Sequence, residues 1–330
     1  MQTYYLGADI GGTKTLALIA DQTGRVVGAG FSGPGNHESV GYAGQLAVLS
    51  QACDTALIKA GISRTQLASA GFGIAGFDWA TEREEIHENI RRLLEKDIPF
   101  QVVNDALVGM VAGSSVGWGI GIVSGTGCNC WGWDASRERI GRVTGAGLFM
   151  GEGAGASEMV QRAIQHIAHQ WSMRGPKTSL SDAFMAYTGT NSLDELLEGL
   201  LRDHVDLDAA AAPLIFEAAA QGDAIAREII QWAGVELAEL VKAVARQLQF
   251  EALAFDVVKV GSVINAYPQL SDIMETEIHK LAPQACVLGL EAPPAAGGIL
   301  LAMEKVMEEI PAQVRQTILE TSREFNGKNR

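Results

Sequence analysis

Residues 4–30 read YYLGADIGGTKTLALIADQTGRVVGAG, and this stretch organises the rest of the chain. An apolar run leads into Asp9, a Gly-Gly pair follows, and a second apolar run begins at Thr15. Because glycine adopts positive φ without a steric penalty, the pair predicts a tight turn between two strands. A second turn signal at 21–24 predicts a third strand after it. The stretch therefore predicts three consecutive strands joined by tight turns.

The first turn carries groups suited to binding phosphate. Gly11, Gly12 and Thr13 present backbone N–H groups with little side chain over them, and Lys14 adds a cation. A concave run of backbone N–H groups binds phosphate oxygens. Asp9 enters the same turn, where its carboxylate could hold Mg²⁺ through water. A purely structural turn, turn capping by Asp9 and a solvent-exposed Lys14 are the alternatives that this motif alone leaves open.

The same design recurs in the middle of the chain. A strand predicted at 119–123 runs into a turn that contains Gly125, Thr126 and Gly127, and another strand leaves at 128–133. Two matching phosphate-type hairpins predict two related halves that face each other across a nucleotide.

Length and hydrophobic content favour two domains with real cores. The chain has 330 residues, and 47% of them are hydrophobic. A chain of this length fits two domains better than one. We place the boundary near residue 115, with an N-terminal domain at 1–115 and a C-terminal domain at 116–330. The last helix, predicted at 313–330, is expected to pack back on the N-terminal domain.

Charge, hydropathy and cysteine content exclude several classes of partner. A net charge of −14 argues against a nucleic-acid partner, because phosphate neutralisation needs clustered lysine and arginine. No N-terminal signal segment and no apolar run of about 20 residues is present, so we expect a cytoplasmic protein without a membrane partner. Four cysteines do not make a disulfide framework in a chain this long. Cys128 and Cys130 share one face of a strand, but a metal pair there is disfavoured because no second ligand pair stands nearby.

The remaining elements follow an α/β pattern. Strands are predicted at 67–75, 100–103, 257–260 and 285–288. Helices are predicted at 39–60, 106–114, 157–171, 181–187, 192–203, 209–221 and 223–250. Capping boxes are predicted at Thr81 with Glu84 and at Ser192 with Glu195, where side chain and backbone satisfy each other's donors.

Five short motifs stand in a characteristic order, at 9–15, 103–106, 124–127, 260–263 and 296–298. The series resembles the phosphate 1, connect 1, phosphate 2, adenosine and connect 2 motifs of the actin/hexokinase/heat-shock-70 superfamily. More narrowly, the chain is similar to the BadF/BadG/BcrA/BcrD ATPase family and its N-acetylglucosamine kinase members. The resemblance implies an α/β fold with two actin-like (ribonuclease H-like) domains and an ATP cleft between them.

The narrower resemblance also implies which residues line each part of the cleft. The implied sugar-binding residues are Asn36, His37, Asp105, Gly145, Ala146, Gly147 and Glu152. The implied nucleotide-binding residues are Gly11, Gly12, Thr13, Lys14, Gly125, Thr126, Gly127, Ala219, Gly261, Ser262, Ala266, Gly297 and Gly298. Asp9 is the implied metal-side carboxylate, and ATP and Mg²⁺ are the implied cofactors. The family usually has Gly-Asp-Glu-Gly-Ser where this chain has Gly-Glu-Gly-Ala-Gly at 151–155, which leaves the identity of the sugar open.

Several of these residues also have a structural interpretation. Asp105 ends a strand at the cleft, where a carboxylate can accept the proton of a sugar hydroxyl, and a helix N-cap is the alternative. Asn36 can donate to and accept from a sugar, or form a turn. His37 is expected to contribute packing rather than catalysis. Glu152 either accepts bonds from sugar hydroxyls or is a solvated loop carboxylate. The Gly297–Gly298 pair either approaches the adenine or ribose, or serves helix packing.

The sequence therefore predicts an ATP-dependent kinase that acts on a small amino sugar, with N-acetyl-D-glucosamine phosphorylated at O6 as the main hypothesis. Glucosamine is the rival substrate, and an ATPase that activates a radical dehydratase is the rival activity. That activity needs a bridging iron–sulfur cluster, and the cysteines form no obvious set for one. A sugar-sensing repressor is disfavoured, because the chain starts directly at the first phosphate strand. A homodimer is compatible with the helical, alanine-rich second half.

Overall fold

Two five-stranded sheets of the same topology organise the chain. In the computed structural model, which describes residues 2–95 and 97–326, the first sheet has the order β3-β2-β1-β4-β5 and the second β8-β7-β6-β9-β10. The first sheet consists of β1 (Tyr4–Ile10), β2 (Thr15–Asp21), β3 (Val26–Ser32), β4 (Leu67–Ile74) and β5 (Phe100–Asn104). The second consists of β6 (Gly119–Ser124), β7 (Cys128–Trp133), β8 (Ile140–Val143), β9 (Phe255–Val260) and β10 (Ala285–Gly289).

The two sheets also share their strand directions. In each sheet the first three strands are antiparallel neighbours, and the other two strands run parallel to the first. Parallel neighbours bring their carboxyl ends to one edge of a sheet, where sites are commonly built. The repeated hairpin that the sequence predicts is therefore confirmed, as is the α/β fold class.

Helices cover both sheets. They are α1 (His37–Ala60), α2 (Arg83–Leu94), α3 (Asp105–Gly113), α4 (Ala156–Trp171), α5 (Leu180–Thr188), α6 (Leu193–Leu201), α7 (Ala212–Ala220), α8 (Ala224–Leu248), α9 (Ser262–Ala266), α10 (Pro268–His279), α11 (Ala295–Glu304) and α12 (Ala312–Ser322). Ser192 caps α6 as predicted, since its hydroxyl accepts a hydrogen bond from the N–H of Glu195 at 3.1 Å. None of the described helices combines the length and apolar character that a membrane crossing needs.

The predicted capping box at Thr81 and Glu84 is wrong. A 3₁₀ turn occupies Ala80–Glu82, and α2 begins after it. The carboxylate of Glu82 accepts hydrogen bonds from the N–H groups of Asp78 at 2.9 Å and Trp79 at 2.8 Å. Thr81 lies inside this turn and Glu82 occupies the N-cap position of α2, so the helix begins without a threonine cap.

Three groups of buried side chains form the core. One lies between the first sheet and helices α1 and α2, and includes Leu49 and Phe72. Another lies under the helices of the second half, chiefly α4, α7 and α8. The third surrounds α3 and α11 and takes side chains from both sheets, including Leu18 and Trp131. The two halves are therefore joined by packed helices.

The C-terminal helices return to the first sheet. Helix α11 packs against β1, β4 and α3, and α12 contacts β3. The hydroxyl of Thr321 on α12 accepts a hydrogen bond from the N–H of Val26 at 3.0 Å. The division into domains at 1–115 and 116–330 stays a prediction, and the end of the predicted tail, at 327–330, lies outside the described residues.

Candidate active site

The two glycine-rich turns meet across the cleft. The first closes with a bond from the N–H of Gly11 to the carbonyl of Lys14 at 3.0 Å, and the second with one from Gly125 to Gly127 at 2.9 Å. Gly12, Thr13, Lys14, Thr126 and Gly127 are all exposed. The hydroxyl oxygens of Thr13 and Thr126 lie 2.9 Å apart. The structure thus brings the two predicted phosphate-binding turns together, with the threonine of each turn exposed.

Two carboxylates stand behind these turns. Asp9 lies near the end of β1 and Asp105 opens α3, the helix that directly follows β5. Burial, and then the nearby Asp105 carboxylate, raise the pKa of Asp9 to about 7, although Lys14 opposes the rise. Burial also raises the pKa of Asp105, against hydrogen bonds from Asn129 and from backbone N–H groups. A carboxylate with a raised pKa accepts a proton more readily, which suits a general base.

The N-cap of α3 is Asn104, so the alternative interpretation of Asp105 as the cap is wrong. The Oδ1 atom of Asn104 accepts a hydrogen bond from the N–H of Ala106 at 2.9 Å. Asp105 is the first residue of the helix and is half-buried. Its Oδ1 atom accepts a hydrogen bond from the amide Nδ2 of Asn129 at 2.9 Å. The carboxylate of Asp105 is therefore held from the second sheet as well as by backbone N–H groups at the start of its own helix.

The predicted adenosine turn lies directly against the second phosphate turn. Gly261 has a φ of 107°, a conformation that favours glycine, and a Cβ there would overlap the carbonyl oxygen of Ser124. Helix α9 starts at Ser262 and ends at Ala266, and both are exposed. The turn thus places the start of α9 beside the phosphate-binding groups.

Ala219 lies near the end of α7, where it is largely buried. Phe216, one turn earlier on the same helix, stacks on Tyr267 with a ring separation of 3.4 Å. Tyr267 directly follows α9, so this stack ties the end of α7 to the adenosine turn. Helices α7 and α9, which both carry predicted nucleotide-binding residues, are therefore neighbours in the fold.

Asn36 and His37 begin α1 on the other side of the cleft. Asn36 caps the helix by accepting from the N–H of Glu38 at 2.9 Å, and its Nδ2 donates to the Glu38 carboxylate at 3.1 Å. His37 is buried and stacks on Tyr42, with ring centroids 4.8 Å apart. A Cβ at Gly76 would overlap Oδ1 of Asn36, so the loop after β4 approaches this corner. The structure supports the packing interpretation of His37 and gives Asn36 a capping role.

Glu152 organises the predicted sugar-binding loop. Its Oε2 accepts from the N–H groups of Gly145 at 2.6 Å and Ala146 at 2.8 Å, and from the hydroxyl of Thr144 at 3.2 Å. A Cβ at Gly145 would overlap the carbonyl oxygen of Cys128, at the start of β7. Glu152 is thus a bonded loop carboxylate, rather than the solvated one considered from the sequence, and it holds the loop against β7.

Comparison with known proteins now places the chain. Residues 6–300 match the protein family described as the BadF/BadG/BcrA/BcrD ATPase family. The chain belongs to this family. The family that the sequence motifs resemble is therefore confirmed.

Similar proteins span nearly the whole chain. The N-acetyl-D-glucosamine kinase of Dictyostelium discoideum is 26% identical over 312 residues, covering 91% of this chain and 97% of the relative. The N-acetylmuramic acid/N-acetylglucosamine kinase of Clostridium acetobutylicum is 28% identical over 301 residues, covering 91% and 98%. A crystal structure from Chromobacterium violaceum, described as a candidate N-acetylglucosamine kinase, has a TM-score of 0.69 at 20% identity and covers 91% and 98%. The structural match confirms the two-domain actin-like fold.

The donor set of this ATPase-family cleft fits Mg²⁺. The Asp105 carboxylate contributes to the raised pKa of Asp9, and a bound dication would lower that pKa. The described residues contain no group of three or more His, Cys, Asp or Glu side chains able to hold a metal. A Mg²⁺ ion at Asp9 would therefore complete its shell with water and phosphate oxygens, as this ion commonly does with nucleotides.

The glycine pair on α11 lies where the helix packs against α3 and the first sheet. Gly297 and Gly298 are buried. A Cβ at Gly297 would overlap the carbonyl oxygen of Val108 on α3, and one at Gly298 would lie 2.8 Å from the carbonyl oxygen of Gly71. Both glycines permit close contact of α11 with α3 and the first sheet, so the packing alternative accounts for them.

The structure adds Asp78, which sequence reasoning missed as a site residue. Asp78 is 7% exposed, and its Oδ1 accepts a hydrogen bond from Nδ2 of Asn104 at 3.0 Å. Burial, followed by the charges of Asp105, Glu38 and Glu82, raises its pKa to about 8. The sequence feature that could have identified Asp78 is its position just after β4, because the parallel strands β4, β1 and β5 end at the same sheet edge.

Arg142 crosses from the second sheet to this corner. Its NH1 donates to the backbone carbonyl of Asp78 at 2.8 Å. Its guanidinium lies 5.3 Å from the ring centroid of Trp79 and 5.5 Å from that of Trp131. A cation between two aromatic faces is attracted to both rings. Arg142 therefore joins the loop after β4 to strands β7 and β8 beside the cleft.

Proposed function

We propose that this protein is an ATP-dependent kinase that phosphorylates a hydroxyl of an amino sugar, with Asp105 as the general base. The observation that carries the proposal is the position of Asp105. Its carboxylate opens α3 and is bonded to Asn129, which lies two residues after Gly127 of the second phosphate turn. A base at this point stands next to groups suited to the transferred phosphate.

The nucleotide is assigned to the space between the two glycine-rich turns. Thr13 and Thr126 offer hydroxyls there, and exposed residues of both turns carry further backbone N–H groups. Mg²⁺, bound through Asp9 and phosphate oxygens, would neutralise phosphate charge. Because phosphoryl transfer needs mainly positioning and charge stabilisation, these groups account for most of the required chemistry.

Asp105 supplies the acid–base part of the reaction. As the sugar oxygen bonds to the terminal phosphorus of ATP, the bond from that phosphorus to the bridging oxygen breaks, and ADP keeps the electron pair. The hydroxyl proton passes to the carboxylate of Asp105. Positioned general bases contribute about 10²–10⁴-fold to such steps. The raised pKa of Asp105 supports this assignment.

We assign the sugar to the corner between Asn36 and the loop at 144–147. Both named relatives are N-acetylglucosamine kinases, one of which also bears the name of N-acetylmuramic acid. We therefore propose N-acetyl-D-glucosamine as the acceptor, with transfer to O6, and keep glucosamine as the rival acceptor. Glu152 acts on the sugar through the loop whose N–H groups it holds.

A coupled assay of ADP release tests the proposal. Purified protein with Mg·ATP is offered N-acetylglucosamine, N-acetylmannosamine, N-acetylmuramic acid, glucosamine, glucose or no sugar, and phosphorus NMR locates the new ester. We expect ADP release to rise at least about 10-fold with one N-acetylated sugar. ATP hydrolysis that is indifferent to every sugar would overturn the kinase proposal and favour an activating ATPase.

The role of Asp105 is tested by Asp105→Asn. We expect turnover to fall by at least about 10²-fold, the lower end of a general-base contribution. Sugar binding, measured by calorimetry, should stay within a few fold, because the amide keeps the size of the carboxylate. The matched control is Asp272→Asn, at an exposed position on α10. Unchanged turnover in Asp105→Asn would remove the base assignment.

A further inference from the structure

Strand β8 leads directly into the predicted sugar loop, and Arg142 lies on this strand two residues before Thr144. The backbone of Arg142 is fixed to α8 by one side chain. Its N–H donates to Oε1 of Gln247 at 2.9 Å, and its carbonyl accepts from Nε2 of Gln247 at 3.0 Å. The hydroxyl of Thr144 donates to Oε2 of Glu152 at 3.2 Å. The backbone that carries Arg142 is therefore anchored in the second half, next to the sugar loop.

The side chain of Arg142 leaves this anchored strand and reaches the loop that follows β4. Its NH1 donates to the carbonyl of Asp78 at 2.8 Å, and its guanidinium lies near the rings of Trp79 and Trp131. A planar guanidinium stacks on aromatic faces while its N–H groups keep fixed directions, which an ammonium group cannot do. The contact therefore fixes the loop after β4 relative to β8.

The loop after β4 in turn holds the start of α3. Oδ1 of Asp78 accepts from Nδ2 of Asn104 at 3.0 Å, and Oδ1 of Asn104 accepts from the N–H of Ala106 at 2.9 Å. Both ends of this amide are thus bonded, and Asn104 is only 1% exposed. Because Asn104 directly precedes Asp105, these bonds set the direction in which the Asp105 carboxylate leaves the helix.

We propose that Arg142 is a positioning residue for the base: through Asp78 and Asn104 it couples the strand that carries the sugar loop to the start of α3, where Asp105 lies. This inference rests on the proposed kinase function and deepens it. The three side chains act by holding the carboxylate of Asp105 in line with the sugar hydroxyl. A displacement of about 1 Å costs up to about 10²-fold in rate, so the effect falls on kcat.

Removal of the guanidinium should lower kcat without weakening the binding of either substrate. For Arg142→Ala we expect kcat at saturating sugar and ATP to fall about 10–100-fold, while both KM values stay within about threefold. Arg142→Lys should recover only a small part of the loss, because lysine keeps the charge without the planar group. Steady-state kinetics measure both variants.

The matched control is Arg139→Ala. Arg139 is an exposed arginine just before the same strand, and its NH2 donates to the carbonyl of Gln247 at 3.0 Å, within the second half. Its removal should change kcat less than about twofold.

An amide should replace the carboxyl group of Asp78. Its pKa of about 8, raised chiefly by burial, keeps it mostly protonated at pH 7. Asparagine retains the acceptor oxygen that Nδ2 of Asn104 needs. At pH 7 we therefore expect kcat within about threefold of wild type for Asp78→Asn, and a loss of about 10-fold or more for Asp78→Ala.

A double mutant separates positioning from damage to the fold. In an Asp105→Asn background the group that Arg142 aligns is already absent. Adding Arg142→Ala should then lower the residual kcat less than about twofold. Damage to the fold would instead multiply the two losses. If Arg142→Ala fails to fold, as judged by circular dichroism, Arg142→Lys takes its place in the same cycle.

Three results would overturn the inference while the kinase function stands. They are wild-type kcat in Arg142→Ala, an Asp78→Asn protein as impaired as Asp78→Ala, and an undiminished effect of the Arg142 substitution in the Asp105→Asn background. A wild-type protein that no sugar stimulates overturns the proposed function and this inference with it.

Discussion

The hydroxyl oxygens of Thr13 and Thr126 lie 2.9 Å apart, although 113 residues separate them in the chain. Each belongs to the turn of the leading hairpin in its own sheet, and the two sheets have the same strand order. Both threonines are exposed, so their contact does not result from burial in a common core. The pair instead brings two equivalent turns to the same point of the cleft, where both hydroxyls face the assigned phosphate site.

Removing one hydroxyl should impair the use of ATP. For Thr126→Val we expect kcat/KM for ATP to fall by about 10–100-fold, because a hydrogen bond to a charged group contributes about 1.5–3 kcal/mol. Thr126→Ser should recover most of the loss. Steady-state kinetics at saturating sugar measure the effect. The control is Thr55→Val on α1, where the hydroxyl donates a hydrogen bond to the carbonyl of Gln51 at 2.8 Å. Equal kinetics for Thr126→Val and wild type would show that the hydroxyl of Thr126 does not contribute to the use of ATP.

Asp78 should make stability depend on pH. Its pKa of about 8 in the folded chain lies above the ordinary value of 3.8, so folding takes up a proton between these limits. The stabilising contribution of the protonated group is complete below about pH 4 and is lost as the pH rises through about 8. In Asp78→Asn this loss disappears. The difference in unfolding free energy, variant minus wild type, should therefore rise by up to about 1.4 kcal/mol per pH unit in that window.

Urea unfolding of both proteins at pH 5, 6, 7 and 8, without nucleotide or metal, measures this difference. Asp272→Asn serves as the exposed control and should show a constant offset from wild type. Parallel pH profiles for Asp78→Asn and wild type would show that Asp78 is ionised in the folded protein at neutral pH.

Glu152 should act on the sugar through its loop. Its carboxylate accepts from two backbone N–H groups, and its removal leaves Gly145 and Ala146 without that partner. For Glu152→Ala we expect KM for the sugar to rise at least about 10-fold, while KM for ATP changes less than about threefold. The KM of Glu152→Gln for the sugar should lie between those of wild type and Glu152→Ala, because its amide oxygen can still accept a hydrogen bond. Glu308→Ala, at an exposed position, is the control. Equal effects on both KM values would point to a loss of fold.

The sequence predicted those parts of the site that are local in the chain. Both phosphate turns are readable because glycine pairs and flanking apolar runs lie within a few residues of each other. Asp105 was readable because it follows a short strand directly. The match over residues 6–300 then confirmed the family that these motifs resemble.

The missed features depend on pairing between distant segments. Asp78 becomes a site residue only because β4 pairs with β5 and brings it to Asn104. In the sequence, Asn129 looks like any other residue of a strand. Its contact with Asp105 exists only because the second sheet lies against the first. At Thr81 a local rule failed, because a 3₁₀ turn at Ala80–Glu82 precedes α2 and places Thr81 inside that turn rather than at the N-cap of the helix.

The same substitution at two glycines from different motifs should lower stability at one and impair the use of ATP at the other. A Cβ at Gly297 would overlap the carbonyl oxygen of Val108, so Gly297→Ala should lower the free energy of unfolding by about 1–3 kcal/mol and leave KM for ATP unchanged. The space around a Cβ at Gly12 is open within the described chain, so Gly12→Ala should keep its stability within about 0.5 kcal/mol. Its methyl group would enter the phosphate site, and kcat/KM for ATP should fall about 10-fold or more. Urea unfolding and ATP kinetics on both variants test the contrast. A changed KM for ATP in a stable Gly297→Ala protein would show that Gly297 belongs to the nucleotide site.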